Sequence, residues 1–331
     1  MEERWKQIMA AVFLSILLPQ MMLYFGSKAF SGSNTSPPPQ TQVTNPATVT
    51  TSPIQEIPLT IRVLNKEGAL LEMDLEEYTR GVVLAEMSAY SGDEALKAQA
   101  IAARTYALRR CEFKDRHSIG AVCMRSTCCQ AWISDEDYIE KRGTEKLWQR
   151  IADAVAATSG LVVTYEGALA ETTYFSCSGG RTESAKAVWK SEIPYLQSVL
   201  SPGEEAAKAF SQSFYFTKSE FFQLLGRELS GKPSQWIGTI SYTEGGGIAT
   251  IDIGGVTYSG TQLRSLLKLP STAIQIITDQ DGIQFYTRGH GHRVGMSQYG
   301  AQAMAEAGCL YSQILAHYYP GTRIDKWENI G

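Results

Sequence analysis

The sequence predicts an α+β fold with a smaller, insert-like α/β subdomain, preceded by an N-terminal transmembrane helix and a linker. Three observations lead there. Stretches with strand and helix patterning follow one another without the regular alternation of a doubly wound sheet. The pairs Glu166-Gly167 and Asp281-Gly282 sit between strand-like stretches, as hairpin turns do. Charged residues make up 19% of the 331 and the net charge is −4. That balance suits a globular chain and offers no broad basic face for nucleic acid.

In chain order, residues 1–7 are a short N-terminus carrying Arg4 and Lys6, expected on the cytoplasmic side. An apolar run of 18 residues extends from Ile8 to Phe25, near the lower limit for a membrane span. Residues 8–26 are therefore expected to be a single-pass anchor with the bulk of the chain extracytoplasmic. Pro19 and Gln20 do not rule this out, because neighbouring groups satisfy the backbone. A cleaved signal peptide ending at Ser27-Lys28-Ala29 is the rival reading; the length of the run favours the anchor. Residues 27–58 are rich in Pro, Ser and Thr, have no apolar face, and read as an extended linker.

The folded part, 59–331, opens with a strand, IRVLN, and a return strand, GALLEMDL. Leu75 to Ala85 reads as a helix capped by Asp74. An alanine-rich helix follows from about Asp93 to Arg110, with Asp93 and Glu94 suited to its first turn. Leu161–Tyr165 and Ala168–Phe175 read as a hairpin. Residues 202–270 mark the possible subdomain: a helix in FTKSEFFQLLG, two strands in IGTISYTEGGGIATIDIGG, and a short helix in TQLRSLLKL. Ile274–Ile277 and Ile283–Tyr286 alternate like strands. Helices near Ser297–Ala307 and Ser312–Tyr318 close the chain.

Chemistry-bearing residues stand out in three places. Glu86 ends an apolar run, and Lys97 and Arg104 follow it on one face of the alanine-rich helix, about 10 Å apart at about 1.5 Å per residue. On helix spacing alone these are a helix-capping acid and a solvated face. His117, Cys123, Cys128 and Cys129 crowd into HSIGAVCMRSTCC, where two readings stay open. One is disulfides, with Cys111–Cys123 among several pairings and an adjacent Cys128–Cys129 bond strained. The other is zinc on imidazole and thiolate, although the spacing fits no common zinc finger. Cys177 and Cys309 read as buried free thiols. Lastly, GHGHRVGMSQYGAQAMA is a glycine-rich loop entering a helix; it lacks the lysine of a nucleotide loop. SCSGGRT, Ser176 to Thr182, reads as a second loop of this kind.

Glu86-Met87, Glu94 to Ala100, Ala103 to Tyr106, Gly289 to Ala301 and His317 to Gly321 together resemble the stage II sporulation protein D family, in order and across nearly the whole of the folded part. The resemblance implies a cleft enzyme, a lytic transglycosylase that cuts β-1,4 MurNAc-GlcNAc bonds of peptide-stripped peptidoglycan. It would act at the sporulation septum during engulfment. The family's catalytic glutamate maps onto Glu86, and its glycan contacts onto Lys97, Arg104, Tyr165 and Tyr195. Zinc ligands of some members map onto His117, Cys123 and Cys129; many members have histidine where this chain has Cys128. The fourth ligand is then Cys128, a water or nothing, and the metal orders a loop beside the glutamate. The glycine-rich loop is placed on the cleft wall, with His290, His292 and Gln298 as structural or glycan-facing groups. Implied partners are glycan strands and a septal complex with an amidase (stage II sporulation protein P) and a multi-pass membrane protein (stage II sporulation protein M).

The chemistry fits a lone acid. A hydrolase needs a second carboxylate as nucleophile or base. A lytic transglycosylase does not, because the muramic acid's own C6 hydroxyl attacks. Lys97 and Arg104 are expected to face the substrate and pair with the lactyl carboxylate that a missing stem peptide exposes. Two alternatives carry different expectations: a zinc amidase or peptidase, which lacks an HExxH helix, and an anchored peptidoglycan-binding module without catalysis.

Overall fold

The computed structural model describes residues 59–330. The expected anchor at 8–26 and linker at 27–58 lie outside the described residues. Among the described residues no helix is long and apolar enough to cross a membrane. The fold is α+β, with five small sheets and mixed strand orders.

A hairpin of β1 (Thr60–Leu64) and β2 (Leu70–Asp74) opens the fold, pairing Thr60 with Asp74 and Leu64 with Leu70. The chain passes directly into α1 (Leu75–Glu86), whose start is fixed by the Asp74 carboxylate accepting the Glu76 and Glu77 N–H groups. Next comes α2 (Asp93–Phe113), buried almost all round from Ala95 to Leu108. A helix with that burial lies at the centre of its domain, and alanine lets its neighbours close in. Against it pack α1, β4 (Leu161–Tyr165) and three further helices: α4 (Glu145–Ala156), α8 (Gln298–Glu306) and α9 (Tyr311–Tyr318). Short α3 (Asp135–Lys141) precedes α4. Strand β3 (Val122–Cys123) joins β1 in parallel and ties the cysteine-rich loop to the first sheet.

Strands β4 and β5 (Ala168–Leu169) form the expected hairpin, turning at Glu166 and Gly167 with φ of 51° and 83°, as a two-residue primed turn demands. The second strand ends at Leu169, short of Phe175. After a break, β6 (Tyr174–Phe175) pairs in parallel with β13 (Met296–Ser297), and short α5 (Ala185–Trp189) follows. Strand β14 (Arg323–Lys326) completes the β4 sheet.

A separate apolar cluster, including Phe221, Trp236, Ile251, Leu263 and Phe285, marks the subdomain. It contains β7 (Ser211–Thr217), α6 (Lys218–Leu225), the sheet of β8 (Ile237–Tyr242), β9 (Ile248–Ile253) and β10 (Val256–Ser259), and α7 (Gly260–Leu266). Its second sheet has the order β11 (Ala273–Thr278), β12 (Gly282–Arg288), β7. A border at residue 270 would cut this sheet, because β12 pairs with β7 along its whole length. The subdomain therefore runs on to Arg288. Its β8–β9 loop is clamped to the main body by a buried pair, Arg293 and Glu183, 3.4 Å apart. Arg293 donates to the Gly245 carbonyl at 2.7 Å, and Glu183 accepts the Gly247 N–H at 3.0 Å. A Cβ at Gly247 would lie 2.3 Å from the Glu183 carboxylate, so glycine is required there.

Candidate active site

Glu86 is the last residue of α1. There the helix's partial negative charge disfavours a carboxylate. Burial pushes its pKa up; the Ala131 N–H and the Gln298 amide pull the other way without cancelling the rise. Oε1 accepts the Ala131 N–H at 3.0 Å. Gln298 opens α8, and its Nε2 is a buried donor with no partner at hydrogen-bonding geometry. The carboxyl has no cationic partner among the described residues, so only these neutral donors oppose the rise.

Glu86 lies where two hollows meet, of ≈ 500 Å³ and ≈ 180 Å³, sharing Glu86, Ser176 and Gln298. The larger arm is lined by Tyr174, Trp189 and His290 and by Arg116 and Cys128. The smaller is lined by Met87, Ser88, Tyr299 and Gln302. No carboxylate besides Glu86 lines either arm.

The walls are built from the two glycine-rich loops. The His290 N–H donates to the Cys177 carbonyl at 2.7 Å, and Cys177 returns a bond to the His290 carbonyl at 3.3 Å. Gly289 makes this possible: its φ is 79° and a Cβ would lie 2.6 Å from the Cys177 carbonyl. Glu204, almost fully buried, staples the assembly. Its Oε2 accepts the Ser178 and Gly179 N–H groups at 2.8 and 2.9 Å, and its Oε1 accepts the Ser201 and Ser297 hydroxyls at 2.6 and 2.5 Å. Ser297 in turn caps α8, the helix that carries Gln298.

At the head of the larger arm His117, Cys123, Cys128 and Cys129 gather, their ligand atoms all within 4.8 Å of one another. All six cysteines are free thiols, so the disulfide reading does not hold. The Cys128 and Cys129 sulfurs lie 3.5 and 3.6 Å from His117 Nε2 and 4.0 Å from each other. Tetrahedral zinc, with bonds of about 2.3 Å to sulfur and about 2.0–2.1 Å to nitrogen, sets S–N and S–S separations of about 3.5 and about 3.8 Å. The donor set therefore fits zinc, with Cys128 placed where a fourth ligand would stand. The same loop then delivers Gln130, whose Nε2 donates to the Tyr174 hydroxyl at 2.8 Å, and the Ala131 N–H that holds Glu86.

The expected substrate contacts divide. His290 and Gln298 are on the cleft wall. His292 is on the wall too, but wedged between Phe175 and Trp189, with ring centroids 5.6 and 5.3 Å away. Its Nδ1 accepts the Val294 N–H, and burial, helped by the Arg264 charge, pushes its pKa down to about 4. It is a neutral buttress behind Trp189. Arg104 is neither solvated nor glycan-facing. It is fully buried, its Nε donates to Glu76 Oε1 at 2.8 Å, and its remaining donors meet the Leu161 and Val155 carbonyls. Lys97 pairs with Glu94 at 2.7 Å, and Glu94 also accepts the Tyr311 N–H. Neither cation lines the cleft. Tyr195 is buried, its hydroxyl accepting the Glu171 N–H, and Tyr165 packs on it at 4.8 Å; both belong to the core cluster around α2. Sequence reasoning missed Ala131, which acts through its backbone and leaves no side-chain signal. It also missed Trp189 and Arg116, the latter legible only as the neighbour of His117.

Fold and site define a class: an α+β body with one carboxyl of raised pKa in an open cleft, beside a Cys3His cluster. The Stage II sporulation protein (SpoIID) family model matches residues 65–165, which carry α1, α2 and the cysteine-rich loop. Stage II sporulation protein D of Bacillus subtilis (strain 168) is 36% identical over 95% of this chain and 93% of its own. That of Bacillus amyloliquefaciens is 35% identical over 96% and 94%. An amidase enhancer of Bacillus subtilis (strain 168) is 29% identical over 75% of this chain and 40% of its own. The chain belongs to the stage II sporulation protein D family.

Proposed function

We propose that this protein is a lytic transglycosylase that cuts β-1,4 MurNAc-GlcNAc bonds of peptide-stripped peptidoglycan during sporulation. The observation that carries the reading is the solitude of Glu86. Glycosidases place two carboxyl groups about 5–9.5 Å apart across the scissile bond; this cleft has one. The substrate must then supply the nucleophile. Protonated Glu86 gives its proton to the bridging oxygen as the bond to the muramic C1 breaks. The C6 hydroxyl of the same sugar attacks C1, and the Glu86 carboxylate takes the proton that hydroxyl loses. The products are a 1,6-anhydro sugar and a new free hydroxyl, with no water consumed. Burial and the α1 C-terminus favour the protonated form of Glu86 that the first step uses. The Ala131 N–H occupies Oε1 and leaves Oε2 to carry the proton.

His117, Cys123, Cys128 and Cys129 would hold zinc, which supplies a rigid tether for the loop bearing Ala131. Four protein ligands fill a tetrahedral site and leave no position for an activated water, which argues against the amidase reading. We further place the protein at the sporulation septum through an N-terminal anchor, working beside an amidase that strips the strands and a membrane scaffold. The family membership and the likeness to an amidase enhancer support that setting.

The test is product analysis. Purified protein incubated with amidase-stripped glycan should release fragments with 1,6-anhydro-muramic ends, and Glu86→Gln should release none. Reducing muramic ends would mean hydrolysis, and released peptides would mean an amidase; either sinks the proposal.

A further inference from the structure

We infer that Arg116 is the carboxylate-reading residue of the cleft, binding the free lactyl carboxylate of a muramic acid that has lost its stem peptide. The inference rests on the glycan-cleaving reading above and names what selects its substrate. Arg116 is the sole Lys or Arg on the lining of either cleft arm, and it shares the larger arm with Glu86. Its side chain is exposed, and among the described residues no carboxylate lies within ion-pair distance of it. The nearest acid in the chain, Asp115, is already committed to Arg110.

That pairing also holds the backbone on one side of Arg116. On the other it is held by His117, whose ring nitrogen meets Cys128 and Cys129 and whose carbonyl accepts the Gly120 N–H at 2.9 Å. An unpaired guanidinium on the cleft lining is left free for a planar anion, which it binds with paired charge-assisted hydrogen bonds. A peptide-bearing muramic acid presents an amide at that position, with no charge for Arg116 to meet and a chain to be housed beside it. The device that Lys97 and Arg104 do not provide is thus present in the cleft.

The experiment measures binding, separately from turnover. Full-length Glu86→Gln protein and its Glu86→Gln/Arg116→Gln double variant are titrated with two probes. One is amidase-stripped glycan; the other is the same glycan with its lactyl carboxylates converted to methylamides. Arg116→Gln should weaken binding of the first about tenfold or more, the scale of a lost charge-assisted contact, and leave the second unchanged, with Arg116→Lys intermediate. Equal weakening of both probes, or of neither, overturns the inference. So does loss of bound metal in Arg116→Gln, which would make the charge a counterweight to the thiolates. The selectivity could stand while wild-type protein yields no anhydro product; that outcome would refute the lyase reading and leave the carboxylate site in place.

Discussion

The backbone N–H of Ala131 donates to Glu86 Oε1 at 3.0 Å, two residues after Cys129 and three after Cys128. The acid of the cleft is therefore held by the loop that gathers the thiols, and the balance of its two protonation states is set by burial and two neighbours. Burial favours the neutral acid; Ala131 and Gln298 favour the carboxylate. The net rise predicts that activity falls as pH rises through a limb above the usual glutamate pKa of about 4.3. Glu86→Gln should remove that limb and cost about 10²–10⁴ in rate. The sign for stability follows. A carboxyl whose folded pKa is raised contributes stability below its unfolded pKa and loses it as pH climbs through the folded value. Glu86→Gln should hence melt higher than wild type at neutral pH and alike near pH 4, measured by thermal unfolding across pH.

Gln298 supplies the second test of this balance. Gln298→Leu removes a group that lowers the Glu86 pKa, so the limb of the pH–rate profile should move up. Nε2 acts on the carboxyl from short of full hydrogen-bonding geometry, so the change should cost stability within about 1 kcal/mol. A limb that stays put or moves down would show that Gln298 does not act on the acid.

The metal cluster makes a stoichiometric prediction. Purified protein should carry one zinc per chain, with Cys123, Cys128 and Cys129 shielded from alkylation while half-exposed Cys309 reacts. Loss of an outer-shell partner typically costs 10–100-fold in metal affinity, so Cys128→Ala, which removes a ligand, should cost at least about 100-fold in a chelator competition. Stripping the metal should lower kcat, because the Ala131 N–H loses its anchor. Cys128→Ala with unchanged affinity would reduce the site to three ligands.

Arg104 separates a structural role from a binding role. Arg104→Ala removes a fully buried guanidinium and leaves Glu76, 28% exposed, without its cation, so it should cost about 1–3 kcal/mol in urea unfolding. The folded fraction should keep its KM for stripped glycan. Lys97→Ala, at a half-exposed pair, should cost about 0–1 kcal/mol and also leave KM unchanged. A raised KM with normal stability in either variant would restore these cations to the substrate.

These results show what the sequence could and could not convey. Helix α1, its Asp74 cap, the Glu166-Gly167 turn and Glu86 were legible, because capping, turn chemistry and a terminal acid are local. Helical spacing put Lys97 and Arg104 on one face, but it does not say what covers that face. Glu76, 28 residues before Arg104, decided it. Strand β7 pairs with β12 across a sequence gap of 65 residues or more, a pairing that local patterning does not reveal and that a border at 270 divides. The donor that fixes Glu86 belongs to an alanine, whose side chain carries no chemistry at all.

Glu204 is the remaining residue whose removal should disturb the site from a distance. One buried carboxylate accepts the Ser178 and Gly179 N–H groups from one wall loop and the Ser297 hydroxyl from the other. Glu204→Gln replaces an acceptor oxygen with an NH2 group and must face at least one of these donors with another donor. Leaving one buried donor unsatisfied costs about 1–3 kcal/mol, so the variant should unfold at lower urea by that amount. Ser297 caps α8, so the loss should also release Gln298 from beside Glu86. The expected kinetic signature is an alkaline limb displaced in the same direction as in Gln298→Leu, with KM little changed. The two displacements should not add in the double variant, because both act through one amide. Additive shifts, or a stability loss with an unmoved pH profile, would leave Glu204 as a wall staple with no influence on the acid.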